Sequence, residues 1–454
     1  MSIKFIDLFA GIGGFHAVGK SFNWECVFAS EIDENAKSVY WKNWGTLPSG
    51  DIKQFTMGRN RKKIPDHDVL FAGFPCQPFS KSGKQLGMLE DRGSLFHDIL
   101  KILSEKKPSI FVLENVRNIS GPRHKDEWNF ILQKLSALGY LVSKNPFVVS
   151  PHRIPPSFGG TPQARERIFI TGTRAKGKKK KFVENPELPT DFDFWDESSW
   201  DLYRDLPIDK NSSEIFLKYR ISQQEIEILD AWDTLVKNLR TNHDMRKLPG
   251  FPLWSDLWGK HPIYIFEENA PKWKINFEVK NVQFYHEHRR IIDRWLSENP
   301  IIRDSLPSKR KFEWQAQDLN SLWDGLIHFR PSGIRIKKAN YVPALVAITQ
   351  TTILGKYKRR ISPKEAARLQ GLPDNFDFGN QSDAASYKQL GNGVSVGSVQ
   401  QVLKALARRD KELLEETNPK LLRSIESKNL RSNRFTNVRR IEKNSSSILK
   451  KNIY

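Results

Sequence analysis

Short apolar runs alternate with stretches of three-to-four-residue apolar spacing over residues 3–173. Ile3–Phe9 reads as a strand, Gly11–Gly14 as a turn, and a helix follows from about Phe15. Cys26–Ala29 is a second strand ending in Ser30-Glu31-Ile32-Asp33, and an aromatic-rich helix with Tyr40, Trp41 and Trp44 comes after it. Val69-Leu70-Phe71 is an unbroken apolar run, the mark of a strand buried on both faces. Leu95, Phe96, Ile99, Leu100 and Leu103 share one helical face. Ile110–Leu113 and Ile168–Ile170 are further buried strands. Strand and helix in regular alternation predict an α/β fold, a doubly wound and mostly parallel sheet with helices on both faces.

The pattern breaks near residue 174. Arg174, Lys176 and Lys178–Lys181 form a basic run that reads as a linker over 174–184. Residues 185–340 show little periodicity yet hold nine of the 13 tryptophans. They are expected to form a second, smaller and irregular domain whose core the tryptophans fill. Regular signals return over 341–407: Ser362-Pro363-Lys364-Glu365 is a capping box with proline at the first helical position, and Gly371 stops that helix. Val394–Ala407 reads as a last apolar helix. Residues 408–454 are polar and basic, predicting a short helix at best and then a partly disordered tail.

Composition narrows the partners. The chain of 454 residues carries 73 Lys+Arg against 52 Asp+Glu, a net charge of +21, which favours a polyanion such as nucleic acid. Two cysteines exclude a disulfide framework and a four-cysteine zinc site, and no metal site is expected. No signal peptide and no membrane-spanning apolar run are read, so a cytoplasmic protein is expected.

Candidate chemistry gathers at strand ends. Asp7-Leu8-Phe9-Ala10-Gly11-Ile12-Gly13-Gly14 leads from a strand through a Gly-rich turn into a helix, but His16 stands where a dinucleotide fingerprint needs its third glycine. Glu31 is placed to accept bonds from two ribose hydroxyls, and Asp51-Ile52 to meet an adenine amino group and ring face. Those groups suit a nucleoside cofactor without phosphates, S-adenosylmethionine being the obvious one; a structural turn with solvated acids is the rival reading. Cys76, in Phe74-Pro75-Cys76-Gln77, follows a strand at the end where open α/β sheets bind ligands. Glu114-Asn115-Val116 follows another, and a desolvated carboxyl there holds its proton more tightly. In Gln163-Ala164-Arg165-Glu166-Arg167 the two arginines alternate, so they point to one side of a strand.

Taken together, these residues resemble the DNA (cytosine-5)-methyltransferases of the bacterial and phage restriction–modification type. The likeness rests on Phe-Pro-Cys-Gln, Glu-Asn-Val, Gln-x-Arg-x-Arg, Arg368–Asp374 and Gln389-Leu390-Gly391-Asn392-Gly393-Val394, in order, and covers about 1–173 and 341–407. It implies a class I methyltransferase fold with S-adenosylmethionine held by Phe9, Gly11, Gly13, Glu31, Ile32, Asp51, Ile52, Pro75, Leu95, Asn392 and Val394. It implies double-stranded DNA as substrate, with the target cytosine flipped out. Cys76 would add to carbon 6 and make carbon 5 nucleophilic. Glu114 would hold ring nitrogen 3 and the exocyclic amine, and Arg165 and Arg167, with Gln163, would hold the carbonyl and order the catalytic loop. A lid from Ser80 to Met88 would place Gln85 in the vacated space. Ile32 departs from the aromatic that many relatives carry there. Residues 185–340 would recognise the target sequence, with Arg330 and Arg335 on guanine edges and Lys337 and Lys338 on phosphates; solvated loop charge is an equal reading of that cluster. A cognate restriction endonuclease and a monomeric state are also implied. An RNA methyltransferase is disfavoured because no third cysteine exists, and an amino-methyltransferase because its Pro-Pro-aromatic motif is missing. A DNA-binding protein that had lost catalysis would need a replaced catalytic position, and none is replaced.

Overall fold

The structure, a computed structural model, describes residues 2–58, 63–74, 95–175, 182–189, 192, 195–206, 208–209, 213–243, 247–259, 270–346 and 351–427. The chain divides into two compact units. The described residues of 1–207, 343–348 and 363–454 form the first, and those of 208–342 and 349–362 the second.

The first unit opens with β1 (Lys4–Leu8), α1 (Gly14–Ser21), β2 (Glu25–Ser30), α2 (Glu34–Trp44), the single turn α3 (Lys53–Thr56), β3 (Val69–Gly73), α4 (Leu95–Lys106), β4 (Ile110–Val116) and α5 (Lys125–Ala137). It continues with β5 (Tyr140–Ser143), β6 (Phe147–Val149), β7 (Gln163–Ala164), β8 (Arg167–Arg174), β9 (Phe182–Val183) and α6 (Leu202–Asp205). The main sheet runs β2-β1-β3-β4-β8-β5-β9, with β6 beside β8. β2, β1, β3 and β4 are parallel. β8 is antiparallel to β4, β5 and β6, a reversal the apolar run at Ile168–Ile170 does not reveal. β4 runs three residues past the predicted apolar stretch, so Glu114 and Asn115 lie within the strand.

Burial explains the apolar strands. Val69–Ala72 and Ile110–Leu113 have no exposed surface, because helices cover both faces. From β1 the chain moves one way to β2, then back across to β3, so the winding reverses between β1 and β3. In open α/β sheets the crevice beyond the strand ends at such a switch point is the ligand site. The Phe9–Gly13 turn and the segment entering Cys76 both leave from it.

The second unit is more regular than the weak periodicity suggests. It holds α7 (Ser213–Tyr219), α8 (Gln223–His243), β10 (Leu253–Trp254), α9 (Lys272–Glu287), α10 (Arg289–Glu298), α11 (Ile301–Asp304), β11 (Lys311–Gln315), β12 (Leu326–Arg330) and β13 (Gly333–Lys337). Then come β14 (Val342–Pro343), which straddles the boundary, β15 (Ile353–Leu354) and β16 (Arg359–Arg360). Six strands form one sheet in the order β10-β11-β13-β12-β15-β16. Trp232, Trp258, Trp295 and Trp314 belong to its core, with Trp232 stacked on Phe312 at a centroid distance of 4.8 Å, whereas Trp195 and Trp200 fall in the first unit and Trp273 is exposed. The expectation of an irregular domain is corrected. Helices such as α9 bury Glu278 and Asn281 beside Val282 and Phe284, which blurs the apolar period.

The first unit resumes with α12 (Pro363–Leu369), α13 (Asp383–Asn392) and α14 (Val396–Arg409). Two more helices follow, α15 (Lys411–Thr417) and α16 (Pro419–Glu426), where at most one short helix was expected. Leu413, Leu414, Leu421, Leu422 and Ile425 are buried, so apolar packing holds this polar stretch in place.

Candidate active site

The Gly-rich turn is shaped by backbone conformation. Phe9, Gly11 and Gly13 all take positive φ, at 56°, 52° and 87°. A side chain on Gly13 would sit 2.1 Å from Trp44 Nε1, and Trp44 donates to the Ile12 carbonyl at 3.0 Å. A Cβ on Gly11 would meet nothing within 4 Å, so that glycine borders open space. Glu31 turns its carboxylate to the backbone: Oε2 accepts from Gly11 N at 2.8 Å, and Oε1 from Ile32 N and Asp33 N at 2.8 and 2.9 Å. These bonds fix the carboxylate opposite the turn. Ile32 is 73 % exposed, a large aliphatic left facing outward.

Other predicted pocket residues divide. Asp51, two residues before α3 begins, accepts from Lys53 N at 2.9 Å. Ile52 is 2 % exposed and belongs to the core cluster that includes Phe28 and Phe55. Leu95, half-buried, opens α4. Val394 lies over α1, where a Cβ on Gly14 would come 2.7 Å from its Cγ1, while Asn392 is exposed. Asp7, fully buried below the turn, lies 3.4 Å from the Tyr40 hydroxyl, which contacts His16 Nδ1 at 2.8 Å. Burial pushes its carboxyl well above the usual range.

Across the switch point lies a buried acid. Glu114 is 9 % exposed, and its Oε1 is 3.0 Å from Arg167 Nε. Register sets the pair, because Glu114 faces Phe169 and Val116 faces Arg167 across β4 and β8. Burial raises the Glu114 pKa, and the Arg167 and Arg165 charges oppose that shift. Glu114 is also in register with Gly73 of β3, where an added Cβ would stand 3.7 Å from Glu114 Oε2. Asn115 is buried and donates to the Phe74 carbonyl at 3.0 Å. The chain is thus held beside Glu114 two residues before Cys76. Pro75, Cys76, Ser80 and Gln85 lie outside the described residues.

Two predicted catalytic residues are bound up elsewhere. Arg165 is 1 % exposed and donates to the carbonyls of Leu345, Gly391 and Gly393 at 2.9, 2.8 and 2.6 Å. Its backbone N–H donates to Ser150 Oγ. Burial, then the Arg167 charge, pulls the guanidinium down to about 9, and it stays protonated at neutral pH. Gln163, fully buried, donates to the Leu369 carbonyl and accepts from Leu345 N. Both fasten the Gly391–Val394 segment and its surroundings, and Arg165 Nε is left buried without a hydrogen-bond partner among the described residues; Arg167 is the arginine at Glu114. Sequence reasoning gave Asn115 no role, although it stands in the Glu-Asn-Val motif, and missed Ser150; the backbone groups they meet are not legible in sequence.

Arg330 and Arg335, in the second unit, both pair with Glu313, at 2.5 and 2.9 Å. No cluster of three or more His, Cys, Asp or Glu residues that could hold a metal occurs among the described residues.

A Gly-rich turn facing an acid at the end of β2, with a buried acid across the switch point, defines the ligand site of a doubly wound α/β protein. Residues 3–408 match the family described as C-5 cytosine-specific DNA methylase. The chain is 39 % identical over 489 aligned positions to Type II methyltransferase M.AluI of Cellulosimicrobium cellulans, covering 91 % of this chain and 94 % of that one. It is 30 % identical to M.BanI of Aneurinibacillus aneurinilyticus, over 89 % and 96 % of the two chains, and 28 % identical to M.HhaI of Haemophilus parahaemolyticus, over 88 % and 93 %. The chain belongs to the C-5 cytosine-specific DNA methylases, as a DNA cytosine-5 methyltransferase of the restriction–modification type.

Proposed function

We propose that this protein methylates carbon 5 of a flipped-out cytosine in duplex DNA through a covalent adduct between Cys76 and carbon 6. The observation that carries the reading is the buried Glu114–Arg167 pair beside the end of β3, with Asn115 fixing Phe74 two residues before Cys76. Carbon 5 of cytosine is a weak nucleophile. Addition of the Cys76 thiolate to carbon 6 converts the ring to an enamine and moves electron density to carbon 5. Burial keeps Glu114 protonated to higher pH than an ordinary carboxyl, so it can donate a hydrogen bond to ring nitrogen 3 as the thiolate attacks. Arg167, anchored by Glu114, is placed for the cytosine carbonyl. After methylation, loss of the carbon 5 proton to water restores the double bond and expels Cys76 as thiolate.

The methyl donor that fits is S-adenosylmethionine, which supplies an electrophilic methyl group on sulfur. Gly11 borders open space, Glu31 presents a fixed carboxylate, and Ile32 leaves an apolar surface outward. Phe9, Gly11, Gly13, Glu31, Asp51, Leu95, Asn392 and Val394, with Pro75, would hold it, while Ile52 backs them from the core. Ser80 and Gln85 are assigned to the DNA contact on the sequence resemblance. The reading includes the second unit, 208–342 with 349–362 rather than the 185–340 expected from sequence, as the target-recognition region, action as a monomer in the bacterial cytoplasm, and a cognate endonuclease that the methylation blocks. No helix among the described residues is long and apolar enough to cross a membrane.

The test is transfer of tritiated methyl groups to duplex DNA. Label should appear at cytosine carbon 5, and Cys76→Ala should abolish transfer while cofactor binding persists. Duplexes with 5-fluorocytosine at the target should trap a covalent complex, because fluorine does not leave as a proton does. Transfer that survives Cys76→Ala would refute the mechanism.

A further inference from the structure

The second unit carries a charged sheet face of unusual construction. On β11 and β13 the apolar residues Phe312, Trp314, Ile334 and Ile336 enter the tryptophan core. The alternate residues lie on the other face. There Glu313, Arg335 and His328 stand in register across β11, β13 and β12. Arg330, at the end of β12, is opposite Gly333, so no β13 side chain stands between it and β11. Glu313 Oε2 accepts from Arg330 Nη2 at 2.5 Å and from Arg335 Nε at 2.9 Å, and Oε1 accepts from Gln315.

Two observations point to a ligand on this face. Arg330 Nε and His328 Nδ1 are buried without a hydrogen-bond partner among the described residues. Three cations, Arg330, Arg335 and Lys337, surround His328, whose Nε2 is 2.9 Å from Thr352 Oγ1. Arg335 gives only Nε to the carboxylate, which leaves its terminal nitrogens for a bidentate contact.

Arginines that only clamp phosphate gain nothing from a carboxylate between them, since it cancels one positive charge. Reading a base edge is different, because a guanidinium must be held in plane to meet two acceptors at once. We propose that Glu313 is a specificity-positioning residue that aims Arg335, with Arg330 beside it, at the O6 and N7 edge of a guanine in duplex DNA. The proposal rests on the reading of this protein as a sequence-specific DNA methyltransferase.

The experiment uses the full-length protein as wild type, Glu313→Ala, Glu313→Gln, Arg335→Ala and the Glu313→Ala/Arg335→Ala double variant. The target is first mapped on a plasmid with wild type. Methylation is then measured on duplexes with every single base-pair change in that target, and binding to a duplex without the target is titrated. Glu313→Ala should lose about tenfold or more of its discrimination at one guanine-containing pair. Arg335→Ala should lose it at the same pair, and the double variant should lose no more than Arg335→Ala. Glu313→Gln should fall between, because its amide oxygen still accepts. Non-specific binding should tighten in Glu313→Ala, since an anion has gone. Unchanged discrimination with tighter binding would make the arginines phosphate clamps and overturn the proposal. Weaker binding together with a lower Tm in both Glu313 variants would make the cluster structural and overturn it equally. Wild type that methylates cytosine without sequence preference would instead remove the reading on which the proposal rests.

Discussion

Glu114 shows how one buried carboxyl acquires a chemical task from its position. Helices cover the strand beneath it, Arg167 holds one oxygen, and Gly73 leaves room beside the other. Glu114→Gln preserves shape but alters the proton inventory, so single-turnover methylation should fall by about 10²- to 10⁴-fold. The sign of the pH dependence follows from the raised pKa: the protonated form persists above the usual carboxylate range, and the rate should decline as pH rises through that value. The decline should vanish in Glu114→Gln. A variant as fast as wild type would exclude proton donation from this side chain. Glu114 was legible because an acid at the end of an apolar run is a local signal. The clamp made by Arg165 was not, because its partners lie 180, 226 and 228 residues further along the chain. Glu313 escaped notice likewise: its arginines are 17 and 22 positions away on other strands.

At the scale of elements, Arg165 joins the segment entering β8 to the turn between α13 and α14. Three carbonyls depend on one guanidinium, and water has no access to replace it. Arg165→Met should therefore cost about 3 kcal/mol or more, the sum of acceptors left buried and unpaired. Denaturant unfolding would measure that loss, and titration with S-adenosylmethionine should show weaker binding, since Val394 is no longer held over α1. Unfolding and cofactor affinity both at wild-type values would refute the clamp. The parallel strands β1 to β4 were readable, since continuous apolar runs occur where both faces are covered. The helices of the second unit were hidden by the polar groups they bury. Antiparallel β8 was hidden for another reason: an apolar run shows burial but not direction.

For the whole molecule, the excess of positive charge sets the terms of association. Contacts to phosphate release counterions, so affinity for a duplex without the target should fall on the order of 10³-fold between 50 and 200 mM salt if six or more phosphates are engaged. Fluorescence anisotropy across that range would measure it, and a flat response would mean that charge does not drive the encounter. Discrimination between target and non-target should change far less, because base edges carry no counterions.

The first unit is built from both ends of the chain. Val394 lies over α1, Gln400 on α14 donates to Ser21, and Trp24 donates to Ser424 on α16. A ribosome therefore releases the front of the catalytic unit roughly 200 residues before the helices that close it. A chain halted anywhere in the second unit lacks the helices α12 to α16 of the first, however well its earlier strands have paired. On the proposed function, methylation waits for residues 363–427, and a host that makes a matching nuclease must allow for that delay.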